Sequence, residues 1–316
     1  MERQAPEFGY YPRSCDIESD RFSVRTLPLH ESRVAAVTGH SNVRAGWYYS
    51  SAQQCQDFTT GDGRSVAGNA RLFALPKTHV LTLNESASRE DHNFVVWCMS
   101  FFVGMRLTTT EAGFLDATPI QPGMLVDFSL GRHGVGDAIE LALNYLESKR
   151  SDLRAHKRVA AVIHALFLAQ YPQNLPFEQF QYLYMALDAC YRLIAAEECK
   201  EPRLSHGARI QWMCEKFRIP VPEWAKNDKN DRNDKTCPSP LSVVRNDTFH
   251  EALFFNEPLG FSIYGSNQLT TDRANVTLEM RALVCRLLVA ILGKPGVGYV
   301  QTPVDTRQLH GPELRA

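Results

Sequence analysis

The chain has 316 residues, of which 44% are apolar and 22% charged, with a formal net charge of −1 and a sequence pI near 6.8. This length exceeds one ordinary compact core and predicts two domains, and the composition excludes a disordered chain. Near-zero charge excludes a surface coated in basic residues for bulk nucleic-acid binding, though a local basic groove depends on clustering rather than on the sum.

The first part reads as mixed and mostly β. Segments 23–27, 33–38, 45–50, 70–75, 79–84, 93–105 and 124–128 are short, rich in β-branched or aromatic residues, and punctuated by Gly, Pro, Asn and Asp. The stretch 94–103 is apolar on both faces and is expected as a central strand. The texture changes near 131–137, after which apolar residues recur at helical spacing. Helices are predicted over 138–149, 153–170, 177–198 and 204–217. Residues 177–198 carry the broadest apolar stripe, through Phe177, Phe180, Leu183, Tyr184, Leu187, Tyr191 and Ile194.

Residues 226–235 repeat a polar Lys/Arg-Asn-Asp triplet and are expected as an exposed linker, with a phosphate-binding finger as the other option. Ser239 and Pro240 fit an N-cap and first turn. Leu241, Val244, Thr248, Ala252 and Phe255 then share a helix face, and the Glu257-Pro258-Leu259-Gly260 segment stops it. A last helix is predicted over 273–292, closed by Gly293 and Pro295, with a polar, loosely packed tail from 298 to 316. The fold class is therefore α+β: a β-rich N-terminal domain at 1–150, then an all-helical domain at 151–316.

Eight cysteines, at 15, 55, 98, 190, 199, 214, 237 and 285, are too sparse for a small disulfide scaffold. Cys190, Cys199, His206 and Cys214 lack the short spacing of a zinc site and are expected as core groups. Cys98 lies in an apolar run without an evident base. The segments 131–136 and 293–298 match neither a P-loop nor a dinucleotide fingerprint and are expected as turns. Met1-Glu2-Arg3-Gln4 has no leader pattern, and the longest apolar run is about half the length of a membrane span. The expectation is a cytoplasmic protein with reduced thiols, no membrane segment, no metal and no cofactor.

The segment with the most specific chemistry is Arg245-Asn246-Asp247-Thr248-Phe249-His250. Four other Arg–His pairs have similar gaps: Arg25/His30, Arg33/His40, Arg150/His156 and Arg158/His164. Only Arg245 is followed by Asn, on a well-capped helix between an aromatic-striped helix and a final apolar one. An always-charged Arg can fork onto phosphate oxygens, and a His can move a proton near neutrality. The bland alternative is an interface histidine, with Arg245 paired to an acidic neighbour. Lys149, Arg150, Arg154, Lys157 and Arg158 form a basic cluster that is either a solvated helix face or an RNA-backbone contact.

These residues resemble the HEPN superfamily. An Arg followed four to six residues later by His is its ribonuclease signature. The words Phe180-Gln-Tyr-Leu-Tyr-Met-Ala-Leu-Asp-Ala189 and Val244-Arg-Asn-Asp-Thr-Phe-His-Glu251 look like the first core helix and the Arg-Asn-x-x-x-His helix of ApeA-type HEPN defence proteins. The resemblance covers roughly residues 150–295. It implies a metal-independent endoribonuclease of toxin or antiphage-defence type, attacking through the RNA 2′-hydroxyl, with Arg245, Asn246 and His250 as site residues. On one ideal helix Asn246 and His250 share a face, while Arg245 lies well round from His250. The homodimeric composite site that the family implies would gather them. The resemblance also implies an N-terminal sensor, regulator or substrate platform answering a phage-derived or small-molecule trigger. The alternative is a non-catalytic HEPN-like dimerisation or nucleotide/RNA-binding module.

Overall fold

The computed structural model describes residues 6–50, 53–56, 63–66, 72–83, 87–131, 134–198, 204–226, 241, 245, 255–256, 260–261, 276–306 and 311–315. The chain divides into two compact units, Met1–Leu125 with Ala138–Ala142, and Val126–Asp137 with Leu143–Ala316. A β-rich N-terminal region is followed by a helical bundle, an α+β arrangement.

The first unit holds a four-stranded antiparallel sheet of β1 (Glu7–Phe8), β2 (Ile17–Glu18), β3 (Phe22–Thr26) and, later in the chain, β9 (His79–Leu83), in the order β1-β9-β3-β2. Its register sets Phe22 against Leu83 and Thr26 against His79. Strand alternation explains the core: His79, Leu81 and Leu83 are buried from β9, and Phe22 and Val24 from β3. A hairpin joins β4 (Val43–Arg44) to β5 (Trp47–Tyr49), and β11 (Ala117–Pro119) pairs on the far side of β5. Both residues of its two-residue loop have positive φ, Ala45 at 48° and Gly46 at 79°. That is the backbone of a type I′ turn, whose twist matches the strands it joins. Two further pairs among the described residues are β6 (Gln53–Gln56) with β7 (Gly63–Val66) and β8 (Leu72–Phe73) with β10 (Phe114–Leu115).

Three expected strands are corrected. Segment 33–38 belongs to a helix, α1 (His30–Thr38), whose His30 and Val37 are buried two turns apart. Segment 93–105 falls in α2 (Arg89–Val103), a helix buried nearly all round its circumference. Ser88 and Asp91 cap its first turn reciprocally, with the Asp91 N–H donating to Ser88 Oγ at 3.1 Å and the Ser88 N–H to the Asp91 carboxylate at 2.7 Å. Gly104, at φ 66°, ends it in a Schellman motif, with bonds from Gly104 N to Phe101 O and from Met105 N to Ser100 O. Segment 124–128 makes turns, and Leu125, Val126 and Phe128 are buried without joining a sheet.

The helix α3 (Gly134–Ser148) has residues in both units, and the second unit is built from α4 (Leu153–Leu168), α5 (Pro176–Ala195), α6 (His206–Phe217) and α7 (Val276–Ile291). The aromatic-striped α5 is central and packs against α4, α6 and α7. Pro176 occupies its first turn, and the Glu178 carboxylate accepts the Leu175 N–H at 2.8 Å. Because α3 starts at Gly134, the 134–136 part of the expected turn is helical instead. Gly293, at φ 114°, ends α7 in a second Schellman motif. The tail is corrected as well. Tyr299, Val300, Val304 and Leu314 are buried, and buried Arg286 of α7 donates to the carbonyls of Thr302 and Pro303 and to Asp127 at 2.8–3.0 Å. Phe255 does not continue a helix face: it lies in β12 (Phe255–Asn256), paired with Phe261 of β13 (Gly260–Phe261).

Candidate phosphate-binding site on the helical unit

Of the segment 239–254, the described residues are Leu241 and Arg245, both helical. They stand one turn apart and so share a face. Leu241 is 1% exposed and anchors that face in the bundle, which directs Arg245 toward the bundle too. Arg245 is half-buried, and its guanidinium donates to the Tyr184 hydroxyl of α5. Asn246 and His250 lie outside the described residues, as do Ser239, Pro240 and 227–235.

Tyr184 opens a row of functional groups on α5. Tyr184, Asp188 and Tyr191 follow at intervals of four and three and line one face. Across from them α6 supplies Arg209, which ion-pairs with Asp188. The Arg209 guanidinium also stacks over the Tyr191 ring, 4.6 Å from its centroid, and Trp212 meets the same ring edge-on at 5.7 Å. Tyr184, Leu187, Asp188, Arg209, Ile210 and Met213 line a cleft of about 10 Å³, room for about one water. The Tyr184 phenol is raised above its ordinary range by burial, with Asp188 adding to the rise, while Arg245 and Arg209 draw it back. Two guanidinium groups thus converge on one phenol and one carboxylate. This arrangement can hold an anion: Arg side chains offer planar forks to phosphate oxygens, and stacking on an aromatic ring fixes the fork's plane.

Arg209 and Asp188 were not among the candidates drawn from the sequence. The available signal was Asp188 itself, a carboxylate inside an apolar stripe, since a charge near a core calls for a partner.

The basic cluster is spread over the turn after α3 and the first half of α4. The Lys149 ammonium, at the end of α3, pairs with Glu197 at 2.9 Å, while Arg150, Arg154 and Lys157 are exposed and Arg158 is half-buried. The buried thiols have a structural character. Cys98 and Cys190 are pushed up by burial, and Cys214 rises to about 12 from burial and Glu215, so none offers a thiolate near neutral pH. Cys199, Cys237 and the His206 side chain lie outside the described residues. Among the described residues no cluster of His, Cys, Asp and Glu could hold a metal ion, and no helix is long and apolar enough to cross a membrane. No family model, no curated protein and no solved structure matches the chain.

Proposed function

We propose that the protein is a metal-independent endoribonuclease of the HEPN kind, acting as a homodimer through Arg245, Asn246 and His250. The observation that carries the reading is the setting of Arg245. It is helical and half-buried, its guanidinium meets the Tyr184 hydroxyl, and a second arginine, Arg209 of α6, faces the same side of α5. A cation held in place before substrate arrives stabilises developing phosphate charge without reorganising at the moment of reaction.

The chemistry conserves atoms without water. The RNA 2′-hydroxyl oxygen attacks the adjacent phosphorus as one His250 takes its proton. The bond from phosphorus to the 5′-oxygen breaks, and that oxygen leaves with a proton from the His250 of a second copy. The products are a 2′,3′-cyclic phosphate and a 5′-hydroxyl. Arg245 stabilises the extra negative charge on the pentacovalent phosphorane, and Asn246 orients the imidazole or the phosphate. The β-rich N-terminal region serves as sensor, regulator or substrate platform.

The test is cleavage of end-labelled single-stranded RNA by purified protein, with the termini of the products identified. Replacing His250 with Ala is expected to lower the rate by about 100-fold or more without changing the melting temperature. Arg245→Lys should not restore the activity that Arg245→Ala loses, because an ammonium lacks the fork. If both alanine variants cleave as fast as the wild type, the site is assigned wrongly. RNA binding without cleavage by the wild type would instead mark a non-catalytic binding module.

A further inference from the structure

The Arg209–Asp188 pair has a geometry that a purely structural ion pair does not require. Arg209 is the more enclosed partner, its side chain 15% exposed against 35% for Asp188. The Tyr191 ring lies against the guanidinium, so Arg209 is placed by an aromatic face of α5 as well as by the carboxylate. Asp188 is thus the partner of the pair nearer to solvent. A carboxylate and a phosphate present similar paired oxygens to such a fork.

We propose that Arg209 is a second phosphate-binding residue for RNA, and that Asp188 is an internal stand-in which a backbone phosphate displaces. This deepens the ribonuclease reading and rests on it for the identity of the ligand. Spacing fits a strand's backbone. Tyr184, which receives Arg245, and Asp188, which receives Arg209, are four residues apart, a rise of about 6 Å along α5. That is comparable with the step between neighbouring phosphates of a single strand. The cleft beside the pair has a volume of about 10 Å³, room for about one water, so a phosphate oxygen enters only where the Asp188 carboxylate gives up its place.

Displacement has a direct consequence. Asp188 weakens the affinity for RNA while it keeps Arg209 placed, so removing its charge strengthens binding and removing Arg209 weakens it. The two substitutions act in opposite directions although each breaks the same ion pair. A structural pair predicts the same direction for both.

The experiment measures binding of the full-length protein to a fluorescently labelled single-stranded oligonucleotide of 2′-O-methyl RNA, which cannot be cleaved, across a salt series. Asp188→Asn is expected to bind about fivefold or more tightly than the wild type at low salt. Arg209→Gln should bind more weakly by a similar factor, with the salt slope shallower by about 0.7, the value of one lost phosphate contact on a single strand. Arg209→Lys, which keeps the charge without the fork, should fall between. Melting temperatures identify folded variants. If folded Asp188→Asn binds no more tightly than the wild type, or the wild type binds no RNA, the inference is overturned. Because no cleavage is read, a protein that shows this opposed pattern yet leaves RNA intact keeps the inference and loses the ribonuclease. One that cleaves RNA while both variants bind like the wild type does the reverse.

Discussion

His79 makes the stability of the first unit depend on pH, and the structure gives the size of the effect. Its ring is fully buried, stacked on Phe8 with centroids 5.4 Å apart and set edge-on to His30 at 5.3 Å. The Thr78 hydroxyl hydrogen-bonds with Nδ1 at 2.9 Å and accepts the Tyr11 N–H at 2.9 Å. Burial, helped by the neighbouring His30 and opposed by Asp16 and the Arg13 backbone, lowers the His79 pKa to about 4. An unfolded histidine titrates near 6.5, so between these two values the unfolded chain binds more protons than the folded one. The neutral ring's contribution is therefore whole above about pH 6.5 and is lost as the pH falls toward 4. With roughly 1.4 kcal/mol per pKa unit, the full loss is about 3 kcal/mol, about 2 kcal/mol of it already gone at pH 5. His79→Phe keeps the ring and removes the titration. Urea unfolding of both proteins at pH 7, 6, 5 and 4.5 should give a steep decline for the wild type and a flatter one for the variant. Parallel curves, or an NMR titration placing the His79 imidazole near 6.5, would refute the reasoning.

Arg286 should be the costliest single side chain to remove from the second unit. It is 2% exposed and serves Asp127, the Ala282 carbonyl and two carbonyls of the tail. Arg286→Met leaves the Asp127 carboxylate without this partner and is expected to cost about 3–5 kcal/mol in denaturant unfolding, with a loss under about 1 kcal/mol contradicting the assignment. Ala45, at φ 48°, holds a left-handed backbone that a Cβ resists, so Ala45→Gly should raise stability by about 1 kcal/mol in thermal melts, and a fall would mean the turn is not type I′.

The helical half of the chain was legible because its signal is local. Apolar residues at intervals of three and four mark a stripe without reference to any distant part of the chain, and α4, α5 and α6 lie within a few residues of their expected bounds. The first half failed where that signal is silent. Phe94 to Val103 is apolar on every face, which a central strand and a fully buried helix share. Length separates the two: as a strand, the run from 93 to 105 would extend to about 40 Å, roughly twice the usual span, whereas a helix of that length is an ordinary one. Its punctuation agreed with the helix. Ser88 and Asp91 are spaced to cap each other before the run, and Gly104 follows it where a left-handed terminus belongs. In α1 the residues Val34 and Val37 suggested a strand, but Glu31 in the first turn and the Ala35-Ala36 pair favour a helix, and propensity yields to the burial of His30 and Val37.

The candidate residues differ in how far sequence alone points to them, for a related reason. Arg245 stands out through its own neighbours, Asn246 and His250, and a motif of six residues needs no tertiary structure to be read. Arg209 and Arg286 have no such context. Each is a charge in a helix that otherwise faces a core, and physical chemistry demands a partner for it. The demand does not name the partner. Asp188 is 21 residues from Arg209, and Asp127 is 159 residues from Arg286. Sequence can therefore say that a buried charge is satisfied, but only the packing of α5 with α6, or of α7 with the tail, says by what. The two pairs also differ in a way that only the structure distinguishes. Arg286 is held by a carboxylate and three backbone carbonyls, so its guanidinium has little freedom to engage anything else. Arg209 pairs with a half-exposed carboxylate and stacks on an aromatic face, which leaves its ion pair nearer solvent than that of Arg286. The first arrangement suits a structural lock and the second a ligand contact.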